Sequence, residues 1–249
     1  MSGHSKWAQI KRQKATTDAR RGQMFTKLGR EIVVAARAGG GDPETNFRLR
    51  LAIQRARDAN MPMENIERAI KRATGGGESA ALEEITYEGY GPGGSAILVE
   101  ALTDNRNRAV SEIRNVFARA GGSLGESGCV AWLFDSRGVI TVDPQGLDSD
   151  EVALLAIDAG AEDVKTENGS VEIQTNPSEL EQVRRALEQQ QIKVVSAEME
   201  MVPKTTIQLD VKTSEQVLRL MEKLEELDDV QRVYTNVDFS EEFLEEYAG

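Results

Sequence analysis

The chain has 249 residues, 39% of them hydrophobic, with 22 Gly, 6 Pro and a single Cys; that length supports one large domain or two to three small ones, and the composition excludes disordered, fibrous and disulfide-stapled classes. The net charge of −12 is unevenly spread: residues 1–75 hold 16 Lys/Arg against 7 Asp/Glu, and residues 76–249 hold 14 against 35. A cationic module of about +9 therefore precedes an anionic body of about −21, which predicts an anionic partner such as nucleic acid and excludes indiscriminate coating of DNA.

Residues 2–23 read SGHSKWAQIKRQKATTDARRGQ, with Lys6, Lys11, Arg12, Lys14, Arg20 and Arg21 against Asp18 alone. The stretch also holds His4, the only histidine, and Trp7, one of two tryptophans. A helical period follows. Phe25, Leu28, Ile32, Ala35 and Ala36 recur at three- and four-residue steps until Gly39-Gly40-Gly41-Asp42-Pro43 stops the first helix. A second helix, about Glu44 to Ala59, aligns Leu49, Ala52, Ile53 and Ala56 on one stripe, flanked by Arg48 and Arg55 on one side and Arg50 and Arg57 on the other. The third starts at Pro62 and packs Ile66, Ala69, Ile70 and Ala73 inward, with Arg68, Lys71 and Arg72 opposite. These three make a small helical bundle, and Gly75-Gly76-Gly77 reads as its exit linker.

Strands and helices then alternate. Ser95 to Leu102 is a strand, Asp104 or Asn105 caps a helix carrying Val110, Ile113 and Phe117, and Cys129 to Phe134 is a second strand. Gly138 to Asp143 is a strand, Asp148 caps a helix to Ala159, and Asn168-Gly169 turns between two short strands. Asn176 to Glu179 then opens a helix, and Ile192 to Met199 closes a β-α-β-β-α-β order of the ferredoxin-like type. Strand Thr205 to Asp210, a capping box from Thr213 to Gln216, a helix through Leu224 and strand Val230 to Val237, placed beside Ser95 to Phe134, complete a second ferredoxin-like unit. The predicted fold is α+β and multidomain: an N-terminal three-helix bundle with its arm (1–78), a discontinuous α+β domain (79–135 with 203–249), and a second α+β domain inserted into it (136–202).

Site chemistry for catalysis is missing from the sequence. Gly89-Tyr90-Gly91-Pro92-Gly93-Gly94 matches G-x-G-x-x-G but leads into a strand instead of a helix, so it reads as a structural loop. One His and one Cys cannot assemble a four-ligand zinc site, His4 lacks orienting partners for a general base, and Cys129 reads as a small buried hydrophobe. No catalytic residue, metal, cofactor or small-molecule substrate is predicted. No apolar run approaches the roughly 18 residues of a membrane span, and none follows the basic start as a secretory signal requires. The expected compartment is the cytoplasm.

Phosphate binding needs several cations on an adaptable segment. The predicted nucleic-acid-binding residues are His4, Lys6, Trp7, Lys11, Arg12, Lys14, Arg20 and Arg21 in the arm, and Arg48, Arg50, Arg55 and Arg57 on the bundle. Ser2, Ser5, Gln9 and Gln13 can bond phosphates or sugars. Trp7 serves equally as a stacking residue or as a packing anchor. Glu64 with Arg68 and Glu67 with Lys71, at four-residue spacing, pair locally and reduce the cationic surplus.

The stretch from Gly3 to Gly75, GHSKWAQIKRQKATTDARRGQ onward to NIERAIKRATG, closely resembles the start of the YebC, or PmpR-type, family. The segments YEGYGPGG, TDNRNR, GGSLGESGCVAWLF and LEELDDVQRVYTN resemble it as well, so the likeness covers nearly the whole chain. The resemblance implies three domains and a non-enzymatic regulator of gene expression. It implies either a DNA-binding transcriptional regulator or a ribosome-associated translation factor that contacts ribosomal RNA and relieves stalling; relatives include the mitochondrial translational activator of cytochrome oxidase. A protein-interaction adaptor, in which the acidic domains hold a basic partner such as a ribosomal protein, is the alternative.

Overall fold

Alanine at the helix contacts lets three short helices approach closely, and the computed structural model shows that approach. It describes residues 18–75, 82–144, 146–167 and 170–240 together with Phe243 and Tyr247, but not the side chains of residues 18–20 and 167. Helix α1 (Asp18–Gly39) packs on α2 (Phe47–Asp58) and α3 (Met63–Thr74). Leu28, Ile32, Ala35, Leu49, Ala52, Ile53, Ala56 and Ile66 form the bundle's core. Each buried Leu or Ile there stabilises by about 1.5–3 kcal/mol.

One residue joins the first two helices. Asn46 accepts from the Leu49 amide (3.0 Å) as the N-cap of α2, while its Nδ2 donates to the carbonyls of Ala35 and Gly40 (both 2.8 Å) at the end of α1. That satisfies orphan groups at both helix ends. Gly40 makes the turn at φ +89°, a conformation that disfavours any Cβ. Pro62 stands one position before α3, at the cap and not inside the helix.

The body contains two separate four-stranded antiparallel sheets, as the α+β reading requires. The first has the order β3-β1-β2-β8, from β1 (Glu83–Tyr90), β2 (Ala96–Thr103), β3 (Ser123–Leu124) and β8 (Val230–Thr235). Helices α4 (Arg106–Arg119) and α7 (Val211–Glu225) cover one face through Ile113, Phe117, Val217, Leu220 and Leu224. The second has the order β5-β6-β4-β7, from β4 (Phe134–Asp143), β5 (Ala161–Glu167), β6 (Ser170–Thr175) and β7 (Lys193–Pro203), with α5 (Ser149–Asp158) and α6 (Leu180–Gln189) packed against it. That order is the ferredoxin-like one; the first sheet departs from it, because β1 and β2 pair directly as a hairpin.

Strands β4 and β7 pair along their whole lengths, from Phe134 opposite Pro203 to Asp143 opposite Lys193. The two ends of the segment that builds the second sheet therefore lie side by side, at Phe134 and Pro203.

Four local expectations are corrected. Residues 129–133 are not a strand: Ala131–Leu133 is a 3-10 turn, Phe134 already belongs to β4 of the second sheet, and the first sheet takes its edge from β3 instead. Residues 205–210 contribute only an isolated bridge, Ile207 to Val237. Helix α7 is capped by Asp210, which accepts from the Thr213 amide at 3.1 Å, and not by Thr213. Asn176 accepts from the Ser178 amide (3.2 Å) in a turn, and α6 begins only at Leu180. The turn at residues 168–169 and the linker beyond Gly75 lie outside the described residues.

Candidate nucleic-acid interface

His4, Lys6, Trp7, Lys11, Arg12 and Lys14 lie outside the described residues, as does the side chain of Arg20, whose backbone is in the first turn of α1. Arg21 follows on α1, exposed. The four bundle arginines divide in two. Arg57 is exposed. The others reach into the acidic body: Arg48 bonds Glu84 on β1, Arg50 pairs with Glu181 on α6 (3.4 Å), and Arg55 bonds Glu31 (2.6 Å) and Glu198 on β7 (2.9 Å). Arg68, Lys71 and Arg72 are exposed on α3, with Arg68 held by Glu64 at 2.5 Å.

Helix α1 is docked by donors aimed at the end of α7, where unsatisfied carbonyls carry partial negative charge. Gln23 donates to the Glu226 carbonyl (2.6 Å) and to Asp228 (2.9 Å), and Lys27 donates to the Glu225 carbonyl. Arg30 donates to the Asp228 carbonyl (2.9 Å) and to Asp229 Oδ1 (3.0 Å). The Asp229 side chain is only 3% exposed. It also accepts from Thr103 Oγ1 (2.9 Å) and from Arg108, whose Nη2 lies 3.0 and 2.7 Å from its two oxygens. Asp229 is thus a socket shared by β2, α4 and α1.

A second junction joins all three parts of the chain. Glu31 on α1 pairs with Arg55 on α2 and with Arg232 on β8 (3.3 Å), and Glu198 on β7 faces Arg55 and Arg232 (3.7 Å). Burial pushes the Glu31 carboxyl up, but the guanidinium groups of Arg55 and Arg232 outweigh it and hold the group below the usual carboxylate range. The same residues border a cavity of about 580 Å³, lined also by Arg48, Glu100 and Gln231.

The G-x-G-x-x-G stretch runs from the end of β1 into the loop before β2, with Gly93 at φ +67°. Beside it Glu88 is buried and accepts from the amides of Gly128 (2.6 Å), Val130 (2.8 Å) and Ala131 (2.7 Å). Burial opposes its ionisation, yet these three donors leave the carboxyl below its ordinary value. Burial and the Glu88 charge push the Cys129 thiol up, away from the thiolate that nucleophilic chemistry needs. Among the described residues no cluster of His, Cys, Asp or Glu could hold a metal, and no helix is long and apolar enough to cross a membrane.

Lowered carboxyls fix the direction of acid sensitivity. Glu31, Glu88 and Glu181 each have a folded-state pKa below the ordinary one. Their contribution is present above the unfolded value of about 4.3 and is lost as pH falls through the folded values. Urea midpoints are expected to stay level from pH 7 to about 5 and to fall below pH 4. Glu88→Gln is expected to lower the midpoint at pH 7 and flatten that fall, because an amide cannot accept three N–H groups. A parallel acid limb in the variant would exclude Glu88 as a contributor.

Two family models match in tandem. The TACO1/YebC protein N-terminal domain matches residues 5–76, and the TACO1/YebC second and third domain matches residues 82–237. The chain belongs to the YebC family. A probable transcriptional regulatory protein of Moorella thermoacetica is 61% identical over 241 residues, covering 96% of each chain. One from Dehalococcoides mccartyi is 58% identical over 247 residues, 99% of this chain and 98% of the relative. The crystal structure of a conserved hypothetical protein from Aquifex aeolicus superposes with a TM-score of 0.85 at 49% identity, covering 94% of this chain and 97% of that one. In this YebC-family chain the sequence marks no role for Asp229, Glu88 or Glu31, whose partners lie far away in it.

Proposed function

We propose that this YebC-family chain is a non-enzymatic, cytoplasmic regulator of gene expression that binds nucleic-acid phosphates through its N-terminal module. The charge division carries the reading: +9 in residues 1–75 against −21 in the rest. Arg48, Arg50 and Arg55 dock the bundle on the acidic body, so the phosphate contacts are assigned to the arm from Lys6 to Arg20, with Arg57, Lys71 and Arg72 exposed beside it on the bundle.

RNA recognised by shape, ribosomal RNA above all, is the target that these residues favour. An arm of Lys and Arg contacts phosphates and not base edges, and α2 has three of its arginines in pairs with Glu residues, so it offers little to a major groove. Duplex DNA is favoured by the names of the relatives, probable transcriptional regulatory proteins. The two separate on a salt titration with a structured ribosomal RNA fragment and a DNA duplex of equal charge. Tighter binding to the RNA at every salt concentration supports the RNA reading, and tighter binding to the duplex supports transcription.

A further inference from the structure

The segments YEGYGPGG and GGSLGESGCVAWLF carry little of the cationic charge, and the fold brings them together. Strand β1 pairs with β3, setting Gly89 opposite Leu124 and Tyr90 opposite Ser123. The buried Glu88 fixes the following loop by accepting from Gly128, Val130 and Ala131. On that loop Tyr90 Oη (3.0 Å) and Trp132 Nε1 (3.1 Å) donate to one acceptor, the Cys129 carbonyl. The two polar tips are therefore satisfied within the protein, and the rings stay out: Trp132 is 65% exposed and Tyr90 43%.

We propose that Tyr90 and Trp132 form a platform on which unpaired nucleobases stack. The proposal rests on the nucleic-acid reading above and adds a second contact of different chemistry. Rings already oriented by hydrogen bonds lose little freedom on binding, and every base has a π-face, so stacking is tolerant of sequence. The surroundings argue for bases and not phosphates. Lys204 donates to the Trp132 carbonyl (3.0 Å) and pairs with Asp135 (3.2 Å), and Arg137 is paired with Glu162. Both cations are engaged with carboxylates, so what this surface offers a nucleic acid is ring faces and not free charge.

The test uses the full chain in a Trp7→Phe background, where all tryptophan emission comes from Trp132, since the sequence has two Trp. The probes are an unstructured 12-nucleotide oligoadenylate RNA and an abasic oligomer of the same length and charge. The expected result is quenching of Trp132 by the RNA alone. Trp132→Ala should weaken RNA binding by about 5- to 150-fold, Trp132→Phe should recover most of it, and both variants should bind the abasic oligomer as the parent does.

RNA binding without quenching, and unchanged in Trp132→Ala, would overturn the platform while leaving the phosphate-binding arm standing. Binding of neither oligomer at low salt would overturn both. If Trp132→Ala kept full RNA affinity but released the chain from a protein partner, the rings would belong to a protein interface and the nucleobase assignment would fall.

Discussion

Reversing Lys11, Arg12 and Lys14 to Glu is expected to weaken nucleic-acid binding by about 10² to 10³ at 0.1 M salt. The reasoning is counterion release. If the N-terminal module neutralises about five phosphates, log K falls with log salt at a slope of about −4.5; removing three contacts leaves about −2. The slope is the more telling readout, because a misfolded module would lose affinity without a defined change of slope. Acidic side chains at these positions also repel the phosphates, so the loss should reach the upper end of the range. Anisotropy titrations at four salt concentrations check it. An unchanged slope would mean that these cations serve solubility only.

Asp229→Ala is expected to be the most destabilising single change in the body, by about 3 kcal/mol. The substitution leaves Arg108, Arg30 and Thr103 Oγ1 without their shared acceptor. The two guanidinium groups reach solvent in part, which holds the cost to the low end of the range for breaking a buried pair. Arg30→Ala removes one docking contact of α1, beside those of Gln23 and Lys27, and is expected to cost about 1.5–2 kcal/mol, the low end for a hydrogen bond to a charged group. Urea unfolding followed by near-ultraviolet circular dichroism distinguishes them. Equal shifts for the two variants would show that Asp229 matters only for docking α1, and not for joining β2 to α4.

The bundle was legible because its signals are local: Leu49, Ala52, Ile53 and Ala56 fall one turn apart, and Gly39 to Gly41 ends α1 within the same few residues. The second sheet was legible for a similar reason, since alternation in Gly138 to Asp143 and the cap at Asp148 both act over short distances. Residues 129–134 misled because CVAWLF has the apolar run of a buried strand. The backbone donors of that run are claimed instead by Glu88, some forty positions earlier, and no local pattern records that claim. Residues 205–210 alternate as a strand does, yet only Ile207 finds a pairing partner, at Val237.

Charge showed the same divide. Glu64 and Arg68 were readable as a pair from their four-residue spacing. Arg48, Arg50 and Arg55 looked like part of one cationic face because their partners, Glu84, Glu181 and Glu198, stand on other elements. A net count of charge by region therefore found the module but could not divide arginines that hold the molecule together from cations directed outward. Of the bundle arginines predicted for binding, Arg48 and Arg57 are exposed, and Arg48 is held by Glu84.

The central claim, that the N-terminal module takes the chain to nucleic acid, is tested most directly by crosslinking in cells and sequencing what is attached, for the native chain and for the variant with Lys11, Arg12 and Lys14 reversed. The account predicts abundant ribosomal RNA on the native chain, without enrichment of promoter DNA, and little on the variant. Equal recovery from both chains, or no attached nucleic acid from either, would contradict it.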